Sequence, residues 1–354
     1  MKPPFRADQV GSLLRPRELV EAKRSRISRE RLREIQDRTI VEAVRKQETL
    51  GLEGITDGEF RRDWWHLDFL SQLDGVTLKE NPGPKFGGTG EQPPIPTVTG
   101  KLRYSRPVMI DDFAFLKKTT AKTAKFTIPS PSMLHLRAGR AGICYEEMEE
   151  FWSDAVAAYR AAIKAFADAG CTYLQLDDVA FAYLCDPKIR ANCVKNGDDP
   201  ETLPRTYAET IDKTLQGKPA GMTVAMHTCR GNFKSAWVAE GGYEPVAESM
   251  FSSGVDAFFM EFDSARAGGF EPLRFLPKGK KAVLGLVSTK TGSLESKGEL
   301  KRKIEDAAKY VPLENLCLSP QCGFSSTHHG NKLTHDEQWR KLERVIEVAK
   351  EVWK

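Results

Sequence analysis

A chain of 354 residues with a formal net charge of +4 can bury a sizeable core without covalent staples, and barrels of alternating strands and helices reach that length as one unit. Its basic residues are interspersed with acids rather than blocked, which argues against nucleic acid or a membrane surface as the main partner. No apolar run is long enough to span a bilayer, the opening MKPPFRADQVGS lacks the apolar segment of a secretory signal, and seven cysteines fit no small disulfide framework, so a reduced, cytoplasmic setting is expected.

Short β-rich runs alternate with helical patterns almost throughout. FRADQVGS (5–12) opens the chain, followed by a helix over 29–50 with Ser28 as its cap. GITDGEF (54–60) and AKFTIPS (124–130) read as the next two strands. The periodic segment 146–169 is the clearest helix, with Gly170 placed to end it. The rhythm continues through TYLQLDD (172–178), a helix within 201–217, GMTVAMHTC (221–229), a helix near 243–253 and DAFFMEFD (256–263). KAVLGLVST (281–289), a helix over 294–309, ENLCLSPQC (314–322) and a last helix over 335–353 complete it. About eight strands, each followed by a helix or helical turn, predict a single (β/α)8 TIM barrel over 1–354. A doubly wound sheet is the rival, but no glycine fingerprint follows the first strand. The Gly/Pro-rich stretch 81–107 breaks the rhythm and reads as a loop carrying a hairpin, inserted between the second strand and its helix.

In such barrels the reactive groups collect at the carboxyl ends of the strands. Those ends carry Gly11-Ser12, then Asp57, Glu59, Arg61, Arg62 and Asp63, then Asp177-Asp178. Further on come His227, Cys229, Arg230 and Asn232, then Glu261 and Asp263, then Ser288, Thr289 and Lys290, and finally Cys322. His-x-Cys alone carries little. Glu261 lies within the apolar run FMEF, where an ionised carboxylate needs a partner. If His227, Cys229, Glu261 and Cys322 converge, two thiolates, an imidazole and a carboxylate make a tetrahedral zinc site from three different strands. Two thiolates and a carboxylate against Zn2+ leave one net negative charge. That suits activating an incoming thiol better than activating water. Cys144, Cys171, Cys185, Cys193 and Cys317 are expected to be ordinary core residues. His66, His135, His328 and His329 are expected on loops or the surface, and Trp64, Trp65 and Trp339 at a contact surface.

With QVGSLLRP, TDGEFRRDWW, YLQLDDVAFAY, HTCRGNF, FFMEFD, LGLVSTKTGSLES and LSPQCGFSS, the chain resembles the catalytic barrel of the cobalamin-independent methionine synthase family, and most of all its short single-barrel relatives. The resemblance implies zinc held by His227, Cys229, Glu261 and Cys322. It also implies that homocysteine is bound by Ser12, with its neighbours Val10 and Gly11, and by Glu59 and Asp177. A strand-end turn offers N–H groups and a hydroxyl to a carboxylate, and the two acids would hold an ammonium. Asp177-Asp178 has a second reading as loop acids, one of them capping the next turn. Three departures concern the methyl donor. The chain has the length of one barrel where the full enzyme has two. TIPSPSMLHLRAG lacks the family's pterin-stacking tryptophan and offers only His135, and LVSTK puts Ser288, Thr289 and Lys290 where the family has a histidine.

The expected activity is zinc-dependent methylation of homocysteine or a similar amino-thiol. The donor would be methyltetrahydrofolate, a methylated corrinoid protein or another small methyl compound. The alternatives are a zinc thiol transferase that opens an epoxide and a non-catalytic zinc- or thiol-binding barrel. Arg230, Asn232, Asp178 and His135 have no role assigned.

Overall fold

A computed structural model of the protein describes residues 2–25, 27–81 and 92–354. Seven parallel strands form one curled sheet: β1 (Gly54–Ile55), β4 (Thr123–Pro129), β5 (Tyr173–Asp178), β6 (Thr223–Thr228), β7 (Ala257–Glu261), β8 (Lys281–Val287) and β9 (Leu316–Pro320), hydrogen-bonded in that order. The intervening β2 (Asp74–Lys79) and β3 (Ile95–Arg103) pair antiparallel with each other. Parallel strands buried on both faces are apolar on both, and every residue of β5, β7 and β9 is buried. Alternation sorts the two faces. Leu174, Leu176, Val224, Met226, Phe258, Met260, Leu284 and Leu318 join the main core with the helices. Tyr173, Ala225, Ala257, Phe259, Val283 and Cys317 form a second, smaller core with Phe5 and Val10. The face that carries Tyr173, Ala225 and Phe259 also carries Asp177, His227 and Glu261, two to four residues further along each strand.

The helices follow their local signals. Arg29–Leu50 starts at Ser28, whose hydroxyl accepts from the Arg31 N–H, and stops at Gly51 with φ 96°. Met148–Asp168 closes two residues before Gly170, whose φ is 85°, and His335–Val352 carries a reciprocal cap between Thr334 and Glu337. The helix expected near 243–253 shrinks to Ala247–Ser252, because Gly241, Gly242 and Pro245 oppose an earlier start.

Two expected strands are shorter than their sequences suggest. The segment 5–12 makes single parallel bridges, Ala7 to Leu318 and Ser12 to Gly58. Between these bridges the Asp8 carboxylate accepts the N–H groups of Phe5 (3.1 Å) and Gln9 (2.8 Å), which replaces ladder bonds with local ones. Within 54–60 only Gly54–Ile55 is a strand, since Gly58 (φ 66°) and Glu59 (φ 59°) turn the chain. The expected insertion, 81–107, contains β3, but its partner β2 lies ahead of that range, and residues 82–91 fall outside the described part. Among the described residues no helix is long and apolar enough to cross a membrane.

The N-terminal segment is seated by a buried ion pair. Lys125 Nζ lies 3.1 Å from Asp8 Oδ1, both side chains being wholly inaccessible. The ammonium also donates to the Gln9 carbonyl and stands 4.0 Å from the Phe259 ring centre, while Tyr173 donates to Asp8 Oδ2 at 2.8 Å. Breaking a buried pair from one side strands the other charge. Lys125→Met is therefore expected to lower unfolding free energy by roughly 3–5 kcal/mol in denaturant titration, with Asp8→Asn in the same chain recovering part of the loss.

Candidate active site

A pocket of about 690 Å³, partly open to solvent, lies at the carboxyl ends of the strands. At one end lies a cluster of side chains that could hold a metal ion. β6 carries His227 on the same face as Asp177, its register partner on β5. The chain leaves β6 with the Cys229 N–H on the Asp178 carbonyl at 2.8 Å, which turns the thiol into the pocket. Cys322 arrives two residues after β9, and the two sulfurs stand 3.3 Å apart. One ligand atom each from His227, Cys229 and Cys322 lies within 4.8 Å of the others.

The protons in this cluster are shared. The sulfur-to-sulfur hydrogen bond is the main cause that raises the Cys229 thiol well above the ordinary range and holds Cys322 well below it, with His227 and Lys290 adding to the acidity of Cys322. Burial alone would lower the His227 pKa, but Cys322, Asp177 and Glu261 outweigh it and raise it. A buried thiolate beside an imidazole whose ring nitrogens have no ordinary hydrogen-bond partner among the described residues has the composition of a zinc site.

Glu261 ends β7, fully buried. One oxygen accepts the Arg230 N–H at 2.9 Å, and the other faces Arg266 at 3.1 Å and Lys290 at 3.8 Å. Its carboxylate is thus neutralised from the side and is not one of the three clustered groups. Arg230 contributes through its backbone, since its guanidinium stacks 4.0 Å over the Tyr243 ring, away from the pocket. Asn232 ties three loops together by donating to Thr289 Oγ1 (2.8 Å) and the Gly323 carbonyl (3.0 Å).

Ser12, Glu59 and Asp177 also line the pocket. Ser12 sits against the turn after β9: its carbonyl accepts from Phe324 at 2.8 Å, and its hydroxyl from the Ser325 N–H at 3.3 Å. A side chain at Gly323 would place its Cβ 2.0 Å from the Ser12 hydroxyl, so glycine is required there by contact. Glu59 has a left-handed backbone, uncommon for a residue with a side chain, held by Asp57 accepting its N–H at 2.9 Å. One carboxylate oxygen accepts from Thr127 at 3.1 Å; the other is buried with no hydrogen-bond partner among the described residues. Burial lifts Glu59 to about 7 against the opposing pull of Arg62. Burial likewise lifts Asp177 to about 6, opposed by His227 and by Gln175, which donates to it at 2.6 Å.

Asp178 is fully buried and accepts from Ser130, Ser132 and the Phe181 N–H, so its second carboxylate function is to pin the loops after β4 and β5. His135, expected on a loop or the surface, is buried between Tyr207 (2.8 Å) and Asp198 (3.2 Å) and does not line the pocket. His66 is also buried, 1% exposed, and does line it. Trp64 and Trp65, expected at a contact surface, wall the pocket instead, with Arg137, Tyr183 and Phe233. Trp339 packs against the main core. The signal for Trp64 and Trp65 lay in their position five and six residues after Glu59, within the same strand-end loop. Nothing in the sequence marked Arg137 or Tyr183.

Comparison with known proteins identifies the family. The family described as "Cobalamin-independent synthase, Catalytic domain" matches residues 12–351. The uncharacterized protein YxjH of Bacillus subtilis is 45% identical over 361 residues, covering 100% of this chain and 96% of its own. A solved structure of the putative vitamin-B12 independent methionine synthase from Listeria monocytogenes superposes with a TM-score of 0.80 at 38% identity, over 100% of this chain and 99% of that one. More distantly, the 5-methyltetrahydropteroyltriglutamate–homocysteine methyltransferase of Bacillus licheniformis is 21% identical over 307 residues, 86% of this chain and 36% of that protein. A match over nearly the whole chain, on a fold that gathers buried thiols, imidazole and carboxylates in one pocket, places it: the chain belongs to the cobalamin-independent methionine synthase family, whose members are zinc-dependent methyltransferases.

Proposed function

We propose that this protein methylates the sulfur of homocysteine, or of a closely similar amino-thiol, using a folate-type methyl donor. The observation that carries the reading is the convergence of His227, Cys229 and Cys322 beside two buried carboxylates in one pocket. Zinc fits that donor set, which is soft, buried and already short of a proton. His227, Cys229 and Cys322 would hold it, with Glu261 as the harder and more replaceable fourth donor, its charge supported by Arg266 and Lys290. The metal, when bound, lowers the proton affinity of an incoming thiol.

The protein's own residues account for the rest of acceptor binding. Glu59 and Asp177 hold the α-ammonium, and the turn at Ser12 meets the α-carboxylate. In the net reaction the new S–C bond forms as the C–N bond of the donor breaks. The C–N electron pair stays on nitrogen, which gains a proton equivalent to the one the thiol gave up. Alignment of sulfur, methyl and leaving nitrogen supplies much of the rate enhancement. A corrinoid protein as donor has no support in these comparisons, whereas the name of the Bacillus licheniformis relative specifies a methylated folate. We read the segment 5–12, bridged to both β1's loop and β9, as the remaining stave of a single (β/α)8 barrel. The β2–β3 pair is then an insertion over its mouth, and a cytoplasmic location belongs to the same reading.

Metal analysis is expected to give about one zinc per chain, and Cys322→Ser to reduce it severely; full retention by that variant would remove Cys322 from the ligand set. X-ray absorption at the zinc edge should gain a sulfur neighbour when homocysteine is added. An unchanged spectrum would reject direct coordination of the acceptor thiol.

The acceptor affinity is expected to depend on pH. Both carboxyl shifts are upward, so each group is neutral below its own pKa and anionic above it. Only the anion pairs with an ammonium. Homocysteine binding should therefore strengthen as pH rises through the range from about 6 to about 7. Calorimetric binding across that range should show the upper part of this rise flattened in Glu59→Gln, and a profile identical to wild type would show that Glu59 does not contact the ammonium.

A further inference from the structure

His66 is buried yet unsatisfied. Both ring nitrogens are enclosed and lack a hydrogen-bond partner among the described residues, although the ring lines the pocket. Leaving a buried polar atom unpaired costs about 1–3 kcal/mol, so a side chain with two such atoms on a pocket wall is arranged for something that enters the pocket. The ring cannot easily turn elsewhere. The His66 carbonyl accepts from Phe69 (3.3 Å) and Leu70 (3.0 Å), which fixes its backbone. The Trp65 ring lies 4.5 Å away, centre to centre. Burial, with the charge of Arg137 adding to it, keeps the His66 pKa well below 6.5, so the ring is neutral. A neutral imidazole offers one donor and one acceptor.

The surroundings select the class of ligand. Trp64 and Phe233 lie parallel within 4°, at 6.1 Å between ring centres, and Trp65 adds a third aromatic wall. On the polar side, Arg137 Nε is a buried donor that also lacks a partner among the described residues. Aromatic walls with one donor–acceptor group and one donor fit a flat heteroaromatic ring that has an amide- or amidine-like edge. On the reading above, zinc and the acceptor ammonium are held by other lining residues of the same pocket, which leaves His66, Arg137 and the aromatic walls to the second substrate.

We propose that His66 is a positioning residue for the methyl donor: its imidazole hydrogen-bonds the polar edge of the donor's ring and thereby sets the methyl-bearing nitrogen toward the acceptor sulfur. The inference rests on the folate-type reading above and supplies a contact that compensates for the absence of tryptophan after β4.

The test is equilibrium binding of 5-methyltetrahydrofolate to the zinc-loaded protein, by calorimetry, for wild type, His66→Gln and His66→Ala. Zinc content and homocysteine affinity are measured alongside. Donor affinity is expected to fall about tenfold or more in His66→Ala and less in His66→Gln, which keeps a donor and an acceptor, while zinc and homocysteine binding stay unchanged. Equal donor affinity in all three proteins would overturn the assignment, as would loss of zinc or homocysteine binding in parallel with the donor. Should His66→Ala fail to fold, an undiminished donor affinity together with unchanged methyl transfer in a His66→Phe variant overturns it, and weakened donor binding there sustains it. Failure of wild type to bind the folate overturns both this assignment and the choice of donor. Donor binding that depends on His66 without methyl transfer to homocysteine rejects the proposed reaction and leaves the His66 contact standing.

Discussion

The ion pair between Lys125 and Asp8 fixes the geometry on which the site depends. It lies at the opposite end of the strands from the thiols, yet it holds the N-terminal segment between the first and last strands of the sheet. Four residues beyond Asp8 the same segment delivers Ser12 to the pocket. Two charges in a dry interior are a poor source of net stability. Here their geometry is complete, since Asp8 also serves Phe5, Gln9 and Tyr173. The pair therefore specifies one seating of a segment that forms only two isolated bridges to its neighbours.

The pocket divides by chemistry into three neighbourhoods. Two thiols and an imidazole lie at the ends of β6 and β9. Two carboxyls sit in the loop after β1 and at the end of β5, their pKa values raised by burial. Aromatic rings stand in the loop after Glu59. The acidic group is held in this condition by desolvation rather than by a strong partner, so an arriving cation finds it responsive. At Glu261 the arrangement is the converse, since Arg266 and Lys290 stand 3.1 and 3.8 Å from a fully buried carboxylate.

Much of this was legible in the sequence because strand ends are marked by abrupt changes of residue type. The runs MTVAM and AFFM announce burial, and His227 and Glu261 terminate them. The helix bounds at Ser28 and Gly170 follow from caps. What escaped was set by long-range packing. The curtailed strand at 5–12 depends on Asp8 turning to its own backbone. The inward placement of Trp64, Trp65 and His66 depends on a loop that folds over the pocket, and an apolar or aromatic residue in a loop has no periodicity to betray its direction. Glu261 was singled out for needing a partner, but Arg266 and the Arg230 N–H could not be distinguished from other local donors by spacing.

The contact between Gly323 and Ser12 has a bearing on which acceptors the protein can take. Cys322 is the immediate neighbour of that glycine, and the Ser12 hydroxyl occupies the space a side chain there would need. On the proposed reading, the elements that hold the sulfur and the carboxylate therefore touch at this glycine and are not moved apart or together by exchanging one side chain. The span available between the two ends of an amino-thiol is a property of how two strand termini pack. On the proposed reading, a change of acceptor length would require re-seating the N-terminal segment as a whole.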